Sequence, residues 1–385
     1  MKGKPFLLIL GLTQLFLGLR VIKRLLLTVQ GEQVQPVAAL NNTEARCLSV
    51  IVPVLNEYTR LAPCLDGLLA QGEEVAEILV VDGGSCDGTQ ALVGQYARRD
   101  PRIRLLNASP VPADWNGKAW GLHIGLQEVS PPARWILTID ADVRPAPLLA
   151  RSLLAQACKT GLNALSIATQ QEIEGPGQGL LHPALLTTLV YRFGIPGRAI
   201  RKVREVQANG QCFLFHREIL EACGGFVSVR DSLCEDITIA RTLVAAGHAV
   251  GFYEAGALVH VRMYENWRET WDNWPRSLPM HDRFSGSATL LGWLEILLVQ
   301  ALPLPLFLLL VIRRPPSRWL MLLNGVGVAT RMGVLFGTAR AYRCRPWSYW
   351  FSPLCDLPVA FKLGSSALRR RHTWRGRSIV RGGVE

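Results

Sequence analysis

Charge is scarce in this sequence. Only 19% of its 385 residues are Asp, Glu, Lys or Arg, against about a quarter in ordinary soluble domains. With 49% hydrophobic residues, that shortage excludes a disordered chain and argues against a wholly soluble one. Paired cysteines are missing too. The nine thiols (Cys47, Cys64, Cys86, Cys158, Cys212, Cys223, Cys234, Cys344 and Cys355) form no CxxC and no Cys/His cluster at zinc-ligand spacing. Scattered single cysteines in a chain with so large an apparent core are expected to be buried small hydrophobes in a reducing compartment. Solenoid repeats and low-complexity tracts are also absent from the sequence.

The net charge of +12 invites a nucleic-acid partner until it is located. Residues 1–45 carry +3, residues 286–339 carry +3 and residues 340–385 carry +8, which leaves −2 on residues 46–285. Bases massed beside apolar segments are a membrane pattern, whereas a nucleic-acid footprint needs a basic stripe on the body. The sequence therefore predicts a membrane as partner and no nucleic acid.

Phe6 to Leu19 is apolar apart from Thr13 and Gln14, and Arg20, Lys23 and Arg24 follow it. Snorkelling bases and Val21 to Val29 extend this run, which predicts a membrane anchor over residues 1–28. The bases lie after the run and no small-x-small cleavage pattern follows, which counts against a signal peptide. They also place the C-terminal side of the anchor in the cytoplasm. A polar linker, 29–46, holds a formal sequon at Asn41-Asn42-Thr43 that would go unused there. Residues 286–365 hold further membrane segments. The run 287–312 should break or kink at Pro303 and Pro305, and Trp319 to Thr338 encloses Arg331. Trp347 to Leu363 reads as re-entrant or interfacial, and the short basic loop Arg313 to Arg318 conflicts with a simple count of crossings. A basic tail, 366–385, is expected on the cytoplasmic side of a multi-pass protein.

Between these ends, residues 47–285 predict one α/β body. Leu48 to Val54, Glu77 to Asp82, Arg102 to Leu106 and Trp135 to Asp140 are short β-branched runs, as buried parallel strands should be. Helix-length stretches such as Arg60 to Leu69 and Thr89 to Tyr96 separate them, which implies right-handed βαβ units in a doubly wound sheet. Ligands bind such sheets at the carboxyl ends of the strands, where Asp82 and Asp140 sit.

Four motifs carry candidate chemistry. Asp140-Ala-Asp142 ends a strand, and two carboxylates two residues apart can direct oxygens at one hard cation; a solvated turn is the plainer reading. The loop from Asp82 to Thr89 is neither GxGxxG nor GxxxxGK[ST], so dinucleotide binding and P-loop chemistry lose support. Asp82 there can accept bonds from a base or ribose, although, taken alone, a β-turn before a helix N-cap is the plainer explanation. Glu235-Asp236 precedes a helical stretch, either to complement its dipole or to supply a general base. Lys118, in the turn DWNGKAW between Trp115 and Trp120, can meet a phosphate or simply lie beside a packed aromatic. Arg268 and Trp271 lie in an aromatic-basic stretch that suits a membrane interface, and Gly179 to Phe193 is either core or a surface dipping into lipid.

Taken in order, SVIVPVLNE, VVDGGSCDGT, DAD and ED resemble a family-2 glycosyltransferase with the nucleotide-sugar (GT-A) fold, over roughly Leu48 to Phe284. The resemblance implies that Pro53, Glu57, Asp82, Lys118 and Asp140 meet a UDP- or GDP-sugar donor. It implies Asp140 and Asp142 as ligands of Mg2+ or Mn2+, and Asp236, beside Glu235, as the base of an inverting displacement. DWNGKAW, the ANGQ of Ala208 to Gln211 and the WRGR of Trp374 to Arg377 resemble the membrane-bound branch acting on carotenoids and hopanoids, including cyanobacterial carotenoid 2′-O-glycosyltransferases. That branch implies a carotenoid-like lipid acceptor, with Asn209, Gln211, Arg268 and Trp271 on the acceptor side. The QxxRW of processive synthases is absent, and Glu265-Asn-Trp-Arg-Glu-Thr-Trp stands there instead, which favours addition of a single hexose. A polyprenyl-phosphate acceptor, or a membrane scaffold that binds a nucleotide sugar without turnover, are the other readings.

Overall fold

The computed structural model describes residues 4–38, 46–232, 234–278, 286–312, 318–369, 371–374 and 377–380. The sequon Asn41-Asn42-Thr43, the loop from Arg313 to Ser317, the middle of WRGR and the end of the tail lie outside the described residues.

The chain opens with α1 (Lys4–Thr28), β1 (Leu48–Val54), α2 (Tyr58–Leu69), β2 (Val75–Asp82), α3 (Thr89–Ala97) and β3 (Ile103–Asn107). Next come α4 (Gly117–Gln127), β4 (Trp135–Ile139), β5 (Val143–Pro145), α5 (Leu149–Thr160), β6 (Ala164–Ala168), β7 (Gln170–Glu172) and α6 (Gly175–Phe193). There follow β8 (Arg198–Ile200), β9 (Cys212–His216), α7 (Arg217–Ala222), α8 (Glu235–Ala245), β10 (Val250–Glu254) and β11 (Val259–Val261). The last part brings α9 (Trp267–Ser277), α10 (Gly286–Glu295), α11 (Pro303–Ile312), α12 (Arg318–Gly337) and α13 (Asp356–Leu368). Two compact units share them: residues 31–172 with 196–263, and residues 1–30 with 173–195 and 264–385.

The first unit is built on one sheet of order β3-β2-β1-β4-β9-β6-β10-β8. Strands β1 to β4 are parallel, as the buried β-branched runs of β1, β2 and β4 predict. Alternation along each strand feeds two cores. Val50, Val52, Ile78 and Val80 pack against Leu61 and Leu65 of α2, while Ile51, Leu79 and Val81 meet Ala119 and Leu122 of α4. The parallel expectation stops at β9, which enters antiparallel between β4 and β6, and β8 is antiparallel at the edge, so the sheet is mixed. This is the GT-A, Rossmann-like α/β architecture. A smaller sheet of the same unit pairs β11 with β5 antiparallel and with β7 parallel. Part of the expected linker is held by the sheet edge, since the Val34 N–H donates to the Glu254 carbonyl at 2.9 Å.

The second unit is helical. Among the described residues, three stretches are long and apolar enough to cross a membrane: Pro5–Thr28, Gly286–Ile312 and Arg318–Ala341. The break expected at Pro303 takes the form of a π-helical turn over Ile296–Ala301, after which Pro303 opens α11 where its missing N–H costs nothing. Trp347–Cys355 winds as a 3-10 helix before α13 begins at Asp356. The Gly179–Phe193 stretch turns out to be core of this unit: Val190 and Tyr191 of α6 pack with Leu17 and Val21 of α1 and with Leu298 and Val299. No cysteine among the described residues forms a disulfide. Cys47, Cys64, Cys212 and Cys234 are buried as expected, but Cys86, Cys158 and Cys344 are exposed.

Candidate active site

In the first unit the parallel strands deliver acidic residues to one edge. Asp82 is the last residue of β2, level with Val54 of β1, and Asp140 follows β4 directly. Pro53, half-buried on β1, lies under α4, where a Cβ on Gly121 would come within 3.3 Å of its own Cβ. Glu57 caps the start of α2, buried, with its carboxylate 3.0 Å from Arg60 Nε.

Asp82 is committed to its own loop. It accepts bonds from the backbone N–H groups of Gly84 (3.2 Å) and Ser85 (3.1 Å), from Ser85 Oγ and from Gln90 Nε2 (2.7 Å). The glycine-rich loop is thus an acid-organised turn, closed below by Asp87, which accepts from the N–H of Thr89 at 3.1 Å.

Lys118 is not in a turn. The DWNGKAW segment starts α4, with Asn116 as N-cap accepting the Lys118 N–H at 3.1 Å, because Asn at that position satisfies a donor the first helical turn leaves free. The lysine therefore projects from a fixed helix end. Its ammonium lies 2.7 Å from Asp140 Oδ1 and 2.8 Å from Glu235 Oε1, joining a strand end to the first turn of α8. Burial alone would lower its pKa, but the carboxylates of Asp140, Glu235 and Asp236 hold the ammonium well above its ordinary value. Asp236 accepts from the Gly210 N–H at 2.7 Å and the Ile237 N–H at 2.8 Å. Burial first, then the neighbouring Glu235, pushes its carboxyl up to about 7. Asp142 is likewise pushed up to about 7, by burial and then by Asp140. Its Oδ1 is shut off from water with no hydrogen-bond partner.

That orphaned oxygen, two residues from a second carboxylate, is the chemistry of an incomplete cation site, so the pair fits a hard divalent ion. Among the described residues no group of three or more His, Cys, Asp or Glu side chains forms a closed cage. The pair suits an open site in which a ligand's oxygens complete the shell.

Asn209 and Gln211 form a separate, partly buried network: Asn209 Nδ2 donates to Gln211 Oε1 at 3.0 Å, and the Asn209 N–H donates to Ser166 Oγ at 2.7 Å. Between them, Gly210, the glycine of ANGQ, has a role that the motif alone did not specify. A Cβ there would meet Lys118 Nζ at 2.9 Å and Asp236 Cβ at 3.1 Å, so a side chain at this position would crowd both the ammonium and the carboxylate to which the Gly210 N–H donates. Its signal in the sequence is just a glycine between two amides. Arg268 and Trp271 belong to α9 of the helical unit, where Arg268 lies 5.1 Å over the Trp267 ring and Lys362 lies 4.9 Å over Trp271. The first unit thus gathers Lys118, Asp140, Glu235, Asp236 and Gly210 around one ammonium.

Residues 49–224 match the family described as Glycosyl transferase family 2, which supports glycosyltransferase family 2 over that part of the chain. A lipopolysaccharide core biosynthesis glycosyltransferase of Rhizobium meliloti is 38% identical over 97 residues, 25% of this chain and 32% of that protein. An undecaprenyl-phosphate 4-deoxy-4-formamido-L-arabinose transferase of Aeromonas hydrophila is 26% identical over 113 residues, 28% of this chain and 32% of that protein. The matched segments span between 17% and 32% of the curated relatives. Among solved structures, a mannosyltransferase from Pyrobaculum calidifontis in complex with GDP-Man and Mn2+ has the same fold. Its TM-score is 0.54 at 17% identity, over 93% of this chain and 99% of that one.

Proposed function

We propose that this chain is a membrane-associated inverting glycosyltransferase that moves one hexose from a UDP- or GDP-sugar to a hydroxyl of a lipid, a carotenoid being the acceptor its motifs fit best. The observation that carries the reading is the carboxylate–ammonium cluster at the strand ends, with Asp236 held by two backbone N–H groups and pushed up to about 7. A carboxylate tuned to that range takes a proton efficiently at neutral pH. In the proposed displacement the lipid oxygen bonds to the anomeric carbon, the bond from that carbon to the diphosphate breaks, and Asp236 accepts the hydroxyl proton. Asp140 and Asp142 would hold Mg2+ or Mn2+, which neutralises a diphosphate when bound. Lys118 stands ready to add its charge to the departing nucleotide once a donor competes for it with Asp140. Pro53, Glu57 and Asp82 shape the donor side, while Asn209 and Gln211 keep Gly210 in place. The proposed orientation, from the bases after the first apolar run, sets the first unit in the cytoplasm, where nucleotide sugars are.

The short likeness to an undecaprenyl-phosphate transferase favours a second reading, in which a lipid phosphate attacks. Such an acceptor is already anionic and needs no base. Asp236→Asn separates the two: transfer to a hydroxyl should fall at least about a thousandfold with donor affinity nearly intact, whereas transfer to a phosphate should fall less than about tenfold. Mass spectrometry of pigment and lipid extracts, with and without the chain, identifies the acceptor; no added hexose on any hydroxylated lipid would overturn the first reading.

A further inference from the structure

Inside the helical unit lies a second polar feature that the transfer reading does not use. Arg331, within the candidate span Arg318–Ala341, is 2% exposed and pairs with Asp356, Nε to Oδ2 at 2.7 Å and Nη2 to Oδ1 at 3.1 Å. Ser352 Oγ accepts a further bond from Nη2 at 3.1 Å. Gln300 joins the pair, donating from Nε2 to Asp356 Oδ1 at 2.8 Å and to the Ala184 carbonyl at 2.9 Å. Two atoms are left over: Arg331 Nη1, a donor, and Gln300 Oε1, an acceptor, both shut off from water and without partners. Each such atom carries a desolvation cost until something bonds to it.

Both side chains line one cavity of about 150 Å3, open on one side. Its other walls are apolar, among them Leu304, Val328, Met332, Trp350 and Phe351. A space of that size takes a group about as large as one benzene ring. Ionisable groups inside a membrane segment are expensive and mark sites where something polar is met.

We infer that this cavity binds the ring-sized, hydroxyl-bearing end of a neutral lipid, whose hydroxyl accepts from Arg331 and donates to Gln300. The chemistry selects the ligand. A hydroxyl both accepts and donates, which matches one free N–H and one free carbonyl oxygen. A phosphate or carboxylate is disfavoured, because Asp356 already neutralises the guanidinium and the Gln300 oxygen repels a second anion. An ether can use the arginine but leaves the glutamine oxygen unpaired. The inference concerns binding only, so it stands or falls apart from sugar transfer.

The test uses the full chain in phosphatidylcholine nanodiscs, labelled by a diazirine-bearing sterol alcohol and mapped by peptide mass spectrometry. Cholesterol, its methyl ether and cholesteryl sulfate serve as competitors, cholesterol standing only for a neutral ring alcohol. Adducts should map to 300–304, 328–332 and 350–354, with cholesterol competing about tenfold better than the ether or the sulfate. Gln300→Met should erase the preference of alcohol over ether, and Val328→Phe, which fills the space, should lower labelling by at least about fivefold. No labelling there, equal competition by all three, or a preference for the sulfate would overturn the inference. Circular dichroism checks that each variant is folded; if one is not, the ranking of competitors on the unaltered chain decides alone.

Discussion

Lys118 sets the electrostatics of the candidate site, because its ammonium touches Asp140 and Glu235 and lies in the field of Asp236. Asp236 is pushed up to about 7 even with that cation nearby. The proposed base must be ionised to act, so transfer should rise with pH through that range and level off above it. Lys118→Met removes an attraction that favours the ionised form, so the same limb should move to higher pH, by roughly one unit. The pH dependence of kcat/KM at saturating metal checks this; a limb that stays in place would remove Lys118 from the charge balance. The acids were legible in the sequence because DAD and the strand-ending Asp82 stand where apolar runs stop, and ED where a helical stretch begins. The lysine's partners were not, since nothing in DWNGKAW says that Asp140 and Glu235 fold towards it. Asp82 illustrates the same limit: residue type permits a ligand contact, while the structure shows it bonded to Gly84 and Ser85 of its own loop and to Gln90 of α3.

At the level of elements, the position of Lys118 depends on how closely α4 lies on the sheet. A Cβ on Gly125 would come within 2.5 Å of Ile51 Cγ2 and 3.2 Å of Val81 Cγ2, and one on Gly121 within 3.3 Å of Pro53 Cβ. Two glycines four residues apart put a smooth stripe of the helix against β1 and β2. Gly125→Ala should push the helix outward, cost about 1–3 kcal/mol of stability and lower transfer more than tenfold by shifting the lysine. Gly94→Ala in α3 is the control. Its added Cβ would find only Arg98 Nη1, at 3.9 Å, so it should be neutral or stabilising by about 0.5–1 kcal/mol. Thermal melts and transfer rates of the two variants distinguish close approach from helix propensity. The strands β1, β2 and β4 were readable because both faces of each are covered, which leaves a run of apolar β-branched residues, whereas β3 lies at the sheet edge with Arg104 and Leu105 exposed. The antiparallel entry of β9 was not readable. Its residues, Cys212 to His216, are as apolar as a parallel strand's, and direction is decided by the partners β4 and β6 rather than by composition.

For the molecule as a whole, the uneven charge of the sequence finds a structural counterpart in the helical unit. That unit assembles from three separated parts of the chain, so its contacts span hundreds of residues and no local pattern announces them. The bases after the first apolar run show the consequence. In the sequence Arg20 and Arg24 mark only a flank, yet in the structure both reach Glu295, whose side chain is 3% exposed, at 3.0 and 3.1 Å. Arg24 also donates to the Tyr191 carbonyl of α6, so the first helix is tied at one point to two others. A carboxylate so deeply buried is tolerable only while paired. Replacing both arginines (Arg20→Met with Arg24→Met) should therefore destabilise the unit by about 3–5 kcal/mol, through the stranded charge rather than through lost packing. The added change Glu295→Gln removes that charge and should recover most of the loss, whereas Glu295→Gln alone should cost less than the double arginine change. Melting of the purified full chain in one detergent, across these three variants, reads the cycle. A triple variant no more stable than the double one would mean that the arginines act on lipid headgroups as flank charges, and that the ion pairs to Glu295 contribute nothing measurable.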